Sequence, residues 1–175
     1  MEGRWNLLRG EAFVTLGKEK EGKAVMQEGI AECKSIEVRV YFPRTLIFLA
    51  KASGNLGEIE DGCKYLIKAH VNIQETGERC CETKLYRLQG RIHQLQVKDI
   101  EAKASFQNAI MVAKNEDAKM WVLRATVEMA KLWQQHGKLG EAAKLLAEIY
   151  NWFTEGFNTP DLIEARALLD QFSQP

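Results

Sequence analysis

Three sets of residues in this 175-residue chain are of types that can do chemistry, and spacing tests each of them. The run Gly17 to Ala24, GKEKEGKA, lies one residue from a phosphate-binding loop, in which backbone amides and a lysine hold phosphate while a hydroxyl holds Mg²⁺. Ala24 stands where that hydroxyl is needed, and Leu7 to Leu16 reads as helix rather than the strand that must come first. His70, His93 and His136 are scattered, and none stands four residues from another His or a Cys in a ligand pattern. His93 is expected to be a satisfied interior histidine. Cys33, Cys63, Cys80 and Cys81 match no zinc spacing, and neighbours in sequence seldom pair, so buried reduced thiols are expected. Trp5, Trp121, Trp133 and Trp152 fall at helical spacing among apolar residues, which makes core packing their expected role. The expectation is no catalytic, cofactor or metal site, and no enzyme.

Bulk composition narrows the classes further. Lys+Arg and Asp+Glu both number 24, so the net charge is zero and bulk charge points to neither nucleic acid nor membrane. No apolar run approaches the roughly 18 residues that cross a bilayer. Met1 to Gly10 carries Arg4 and Arg9 but no apolar signal-peptide core, and a cytoplasmic location is expected.

The elements that must position any site are set by a repeat of 40 residues. Gly17, Gly57, Val97 and Gly137 stand 40 apart, with Gly10, Ala50, Gly90 and Ala130 seven residues before them. Gly22, Gly62, Ala102 and Ala142 follow, then Met26, Leu66, Phe106 and Leu146, then Gly29, Ala69, Ala109 and Ile149. Small residues let two helices approach closely, and the glycine between them suits a left-handed helix end. The large apolar residue, four beyond the second small one, shares its face and plugs the core. Val97 replaces the turn glycine in the third unit, so a differently built turn is expected there.

This order of small residue, Gly, Ala, large apolar residue and Ala resembles the tetratricopeptide (TPR) signature, and the match covers nearly the whole chain. The resemblance implies one all-α domain over 1–175, a TPR-like α-solenoid of four hairpins and a C-terminal capping helix. The expected units are 3–38, 39–77, 78–116 and 117–157. First helices are expected near 4–16, 41–56, 79–96 and 117–136, and second helices near 20–36, 59–75, 99–114 and 139–154. The cap is expected at 159–173, with Thr159 as N-cap, Pro160 in the first turn and Asp161 facing the dipole. The usual TPR period is 34, so six extra residues must be absorbed by longer helices or longer turns. The runs TGERCCETKLYRLQGRI, AKMWVLRATVEMAKLW and GKLGEAAKLLAEIYNWFTEGFNTPDLIEARALL, within residues 76–170, are similar to the C-terminal repeat region of large bacterial adenylate/guanylate cyclase-associated signalling ATPases. That similarity implies a regulatory or sensor role and carries over no catalytic residue.

One feature rises above ordinary helix surface. First helices line the concave side of such an array. Arg4, Arg44, Lys84 and Arg124 occupy one position of the repeat. Glu11, Lys51, Arg91 and Lys131 occupy the next position on that face, two turns on, and Lys18, Glu58, Lys98 and Lys138 the one after. All but the two glutamates are basic, where composition alone would place about two cations. Arg87, Asn55, Gln94 and Gln135 lie on or beside the same surface. No aromatic residue is read as interleaved with the stripe, which argues against nucleic acid. A groove bearing Arg4, Arg44, Lys51, Lys84, Arg87, Arg91, Arg124 and Lys131 predicts a protein or peptide partner that is acidic, carboxylate-bearing or phosphorylated. The competing expectation is that these cations pair internally with Glu11, Glu82 or Glu128 and cover apolar surface with their stems. Self-association through solenoid ends or outer faces is a further expectation.

Overall fold

A computed structural model describes residues 2–35, 42–77 and 79–173. Nine α-helices and one short 3₁₀ turn occur among the described residues, and no strand. The helices are α1 (Glu2–Thr15), α2 (Glu19–Ser35), α3 (Phe42–Asn55), α4 (Ile59–Thr76), α5 (Glu82–Leu95), α6 (Asp99–Asn115), α7 (Lys119–Gln135), α8 (Leu139–Tyr150) and α9 (Pro160–Phe172). They pair as α1/α2, α3/α4, α5/α6 and α7/α8, each hairpin stacking on the next, and α9 lies on α7 and α8. The expected helix ends at residues 36 and 41 lie outside the described residues.

Each hairpin turn is built alike. Gly17, Gly57 and Gly137 adopt φ of 77°, 78° and 72°. The next residue sends its amide back to the helix it has just left, Lys18 to Phe13, Glu58 to Ser53 and Lys138 to Trp133, at 2.8–2.9 Å. Val97 was the point where a different turn was expected, and this is corrected: its φ is 58°, and Lys98 N donates to His93 O at 2.9 Å as in the other three. The motif recurs between hairpins, where Asp117 takes φ 51° and Ala118 N donates to Ala113 O at 2.9 Å. These returning bonds satisfy carbonyls that a helix end otherwise leaves open.

The small residues do what their spacing predicts. A Cβ on Gly10 would stand 2.4 Å from Met26 Cγ and 2.8 Å from the Gly22 carbonyl oxygen, so α1 and α2 touch backbone to side chain there. On Gly90 it would meet the Phe106 ring at 2.4 Å. The plugs Met26, Phe106 and Leu146 are wholly buried and Leu66 nearly so. In the first three hairpins the second helix is the longer, with 17, 18 and 17 residues in α2, α4 and α6 against 14 in α1, α3 and α5, and residues 77–81 lengthen the link before α5; the fourth hairpin reverses the order, with 17 residues in α7 and 12 in α8. Acidic residues in the first turns of the second helices, such as Glu19, Asp61, Asp99 and Glu141, complement their dipoles.

Several expectations are corrected. Arg79–Cys81 form a 3₁₀ turn, and α5 starts only at Glu82. Helix α8 stops at Tyr150 rather than 154, because the chain turns back to lay α9 over the last hairpin. Phe153 joins the core with Leu162, Ala165, Leu168 and Phe172. Thr159 sits at the N-cap of α9, but its hydroxyl makes no capping bond; Pro160 and Asp161 stand as expected. Trp5 and Trp152 are 69% and 56% exposed, so neither is core, and Cys80 is exposed rather than buried. All four cysteines are free. Burial, with Cys80 beside it at 3.9 Å between sulfurs, pushes the Cys81 thiol up to about 11.

Candidate partner-binding groove

First helices α3, α5 and α7 stand side by side, and a depression of about 300 Å³ opens along them. Lys51, Lys84, Arg87, Arg91 and Arg124 line it, with Phe48, Leu88 and Trp121 as apolar walls and Asp161 of α9 at one end. Helix period explains the convergence. Lys84, Arg87 and Arg91 fall at successive three- and four-residue steps on α5, as Phe48 and Lys51 do on α3 and Trp121 and Arg124 on α7. Five of the eight expected groove residues are therefore brought together. Arg44 and Lys131 flank them, and Arg4 is exposed on α1 away from the depression.

Internal pairing claims some of these cations and leaves others. The Arg44 guanidinium lies 2.7 Å from a Glu11 carboxylate oxygen, and Thr45 Oγ1 donates to Glu11 at 3.2 Å. Glu11 is buried, and that burial raises its carboxyl above the ordinary range although Arg44 pulls the other way. Arg87 reaches Glu128 at 3.4 Å. Burial lowers the Arg87 guanidinium from its usual value, Glu128 opposes that, and Arg124 and Arg91 add to it as like charges. Arg124 grips Asp161 through two bonds of 2.8 and 2.7 Å, a planar fork on a carboxylate. Lys131 reaches Glu164 at 2.5 Å. Glu82 pairs with Arg79 at 3.2 Å instead of with the groove.

Lys51, Lys84 and Arg91 make no ion pair among the described residues. Burial, then the neighbouring Arg91, holds the Lys51 ammonium below its ordinary range, with Glu19 opposing. Lys84 stands 4.9 Å from the Trp121 ring centre and Arg124 4.6 Å, so one indole serves two cations. Arg44 lies 5.9 Å from the Phe48 ring. The expected lack of interleaved aromatics is thus corrected: Phe48 and Trp121 sit within the stripe. Their signal was present in sequence, four residues after Arg44 and three before Arg124, one turn away on the same face. Asp161 and Glu164 carried no such signal, since only the docking of α9 brings them to Arg124 and Lys131.

Gly17 forms a turn, and Gly22 is pressed against the Gly10 carbonyl, so the phosphate-loop-like run is hairpin structure. His93 is half-buried with Nδ1 3.3 Å from Ser105 Oγ. No cluster of three metal-ligating side chains occurs among the described residues, and no described helix is long and apolar enough to cross a membrane.

No family model and no curated protein matches the chain. Solved structures do. One consists of the nearly identical TPR-like repeats of a Podosopora anserina protein, a kinesin light chain by its name, at TM-score 0.72 and 16% identity over 97% of this chain and 84% of that one. A single-residue variant of it matches at TM-score 0.72 and 14% identity with the same coverage. A thermophilic TPR protein of Thermus thermophilus superposes at TM-score 0.48 and 15% identity, covering 95% and 98% of the two chains. Identities this low speak for fold alone, and none of these structures is a cyclase-associated ATPase. Helix order, turn geometry and the first two superpositions agree that the chain has the fold of a TPR-like α-solenoid.

Proposed function

We propose that this chain is a docking scaffold without catalytic function, which binds an acidic or carboxylate-bearing segment of a protein partner along α3, α5 and α7. The observation that carries the reading is the set of three cations, Lys51, Lys84 and Arg91, that no internal carboxylate claims. They surround a depression walled by Phe48, Leu88 and Trp121, so a ligand meets both charge and apolar contact. A carboxylate there relieves the mutual repulsion of Lys51 and Arg91, while an apolar side chain covers the indole. Arg44, Arg87, Arg124 and Lys131 hold the walls through their pairs with Glu11, Glu128, Asp161 and Glu164, and Arg4 has no part in the groove.

Fluorescence anisotropy with a labelled acidic peptide carrying a free C-terminal carboxylate tests this, beside a sequence-matched peptide with its acids replaced by glutamine. The acidic peptide binds, and binding weakens at least tenfold in Lys51→Glu/Arg91→Glu and on raising salt. Equal affinity for both peptides, or an unmoved affinity in the charge-reversed variant, overturns the groove reading. A second reading rests on the wording of residues 76–170: a regulatory C-terminal region of a bacterial signalling ATPase or nucleotide cyclase, working in the cytoplasm. The sequence encoded upstream in the source genome decides it, since catalytic domains must precede the repeats or be supplied by a partner.

A further inference from the structure

A cleft recurs at each junction between hairpins. It measures about 220 Å³ between the first and second hairpins, 430 Å³ between the second and third, and 350 Å³ between the third and fourth. The 40-residue period lines up the walls of the three. Ile30, Leu46 and Leu49 line the first, and Ile110, Met129 and Trp133 the third. In the second, His70 takes the place of Ile30 and Ile110, Tyr86 that of Leu46, Gln89 that of Leu49 and Met129, and His93 that of Trp133. Leu49 and Met129 are fully buried, so the fold packs apolar side chains at this place in its neighbouring junctions. The middle junction gives up that packing, sets polar groups there, and is the widest of the three. It is separate from the basic groove: α5 turns Lys84, Arg87 and Arg91 one way and Tyr86, Gln89 and His93 roughly half a turn away.

The hydrogen bonds around the cleft decide what its polar groups can still do. The Ser105 hydroxyl donates to Glu101 O at 2.9 Å, so toward His93 Nδ1, 3.3 Å away, its oxygen accepts. His93 therefore carries its proton on Nδ1, and Nε2 is a bare acceptor. Gln96 Nε2 donates to Cys63 Sγ at 3.7 Å, which leaves Gln96 Oε1 as a second acceptor. The Gln89 amide and the Tyr86 hydroxyl make no hydrogen bond among the described residues. Leu66, Leu85 and Ile92 form a buried apolar floor. Exposed Lys98 is the one ionised side chain among the described lining residues, and no carboxylate faces it.

We propose that the cleft between the second and third hairpins binds a small ring-bearing organic acid, with its ring on Leu66, Leu85 and Ile92, a ring N–H or O–H donating to His93 Nε2, and its carboxylate paired with Lys98. An apolar floor with a few placed polar groups is the usual make-up of a small-molecule pocket, and its volume falls within the usual range of about 300–1,000 Å³. The two bare acceptors call for a donor on the ligand. The unpaired ammonium, with no carboxylate opposite, calls for an anion.

Indole-3-acetate, which carries a ring N–H and a carboxylate, is the probe, titrated into the full chain and followed by nitrogen NMR of the imidazole rings. The free protein shows His93 as the Nδ1–H tautomer, and the probe moves its Nε2 signal. Methylating the indole nitrogen weakens binding about fivefold, and so does Lys98→Met. Gln89→Met/His93→Trp copies the cleft of the next junction, keeps the helical circular dichroism and abolishes binding. Lys51→Glu/Arg91→Glu leaves binding unchanged, because those cations line the groove on the other face of α5. An Nε2–H tautomer in the free protein, or no movement of the His93 signals at millimolar probe, overturns the proposal. So does equal binding of the methylated probe or by Gln89→Met/His93→Trp. Loss of binding in Lys51→Glu/Arg91→Glu with none in Lys98→Met would place the acid in the basic groove and overturn the cleft.

Discussion

Val97 offers a direct measure of how strongly the hairpin turn is imposed by its surroundings. It is a β-branched residue at φ 58°, where its three counterparts are glycines, and it is 83% exposed. A left-handed conformation costs an L-residue roughly 1–2 kcal/mol. Replacing Val97 by Gly removes that strain but enlarges the freedom of the unfolded chain, which offsets about 0.4–1 kcal/mol. Exposure means that little packing is lost. The net expectation for Val97→Gly is stabilisation by about 0.5–1 kcal/mol. With an m-value of about 2 kcal/mol/M, the urea midpoint moves up by roughly 0.25–0.5 M. The mirror substitution, Gly57→Val at φ 78° with open space around its Cα, moves it down by a similar amount. Urea titrations followed by circular dichroism read both, with unchanged m as the condition for comparing midpoints. A lowered midpoint in Val97→Gly would refute the argument, since it would mean that the isopropyl group contributes packing that its exposure denies.

Phe106→Ala empties the plug of the third hairpin and costs about 3–5 kcal/mol, measured as a loss of urea midpoint; Gly90→Ala, whose methyl would stand 2.4 Å from that ring, also destabilises and is partly rescued by Phe106→Leu. Arg124 holds the Asp161 carboxyl below the usual carboxylate range, so their pair contributes fully above the ordinary Asp value and is lost as pH falls through the lowered one. Asp161→Asn therefore lowers the melting temperature at pH 7 and levels the acid limb of a melting-temperature profile, with protease sensitivity appearing first in α9. Glu11 has the opposite sign: burial raises its carboxyl, so its stability contribution is full below the ordinary Glu value and is lost as pH rises through the raised one. Glu11→Gln keeps an acceptor for Thr45, and its stability relative to wild type is expected to rise across that window in the same profile. An unchanged difference between pH 4 and pH 7 would count against a raised Glu11.

Much of the architecture was readable because its determinants are local and repeat. A small residue, a turn residue, a second small residue and a plug at constant offsets specify one hairpin, and four copies specify a stack. The basic stripe was readable for the same reason, since seven residues are two helical turns and keep one face. Val97 shows the limit of residue type: its turn is made by the returning bond from Lys98 to His93 and by the flanking helices, which together outweigh its preference. Which cations remain free for a partner was not readable. Arg44, Arg87, Arg124 and Lys131 are claimed by carboxylates 33 to 41 residues away in sequence, while Lys51, Lys84 and Arg91 are not. Charge pairing depends on where one hairpin, and then α9, comes to rest on another. Sequence by itself determined the helices, their faces and the order of stacking; only the packed array decided which charges are spent within it and which remain to meet another molecule.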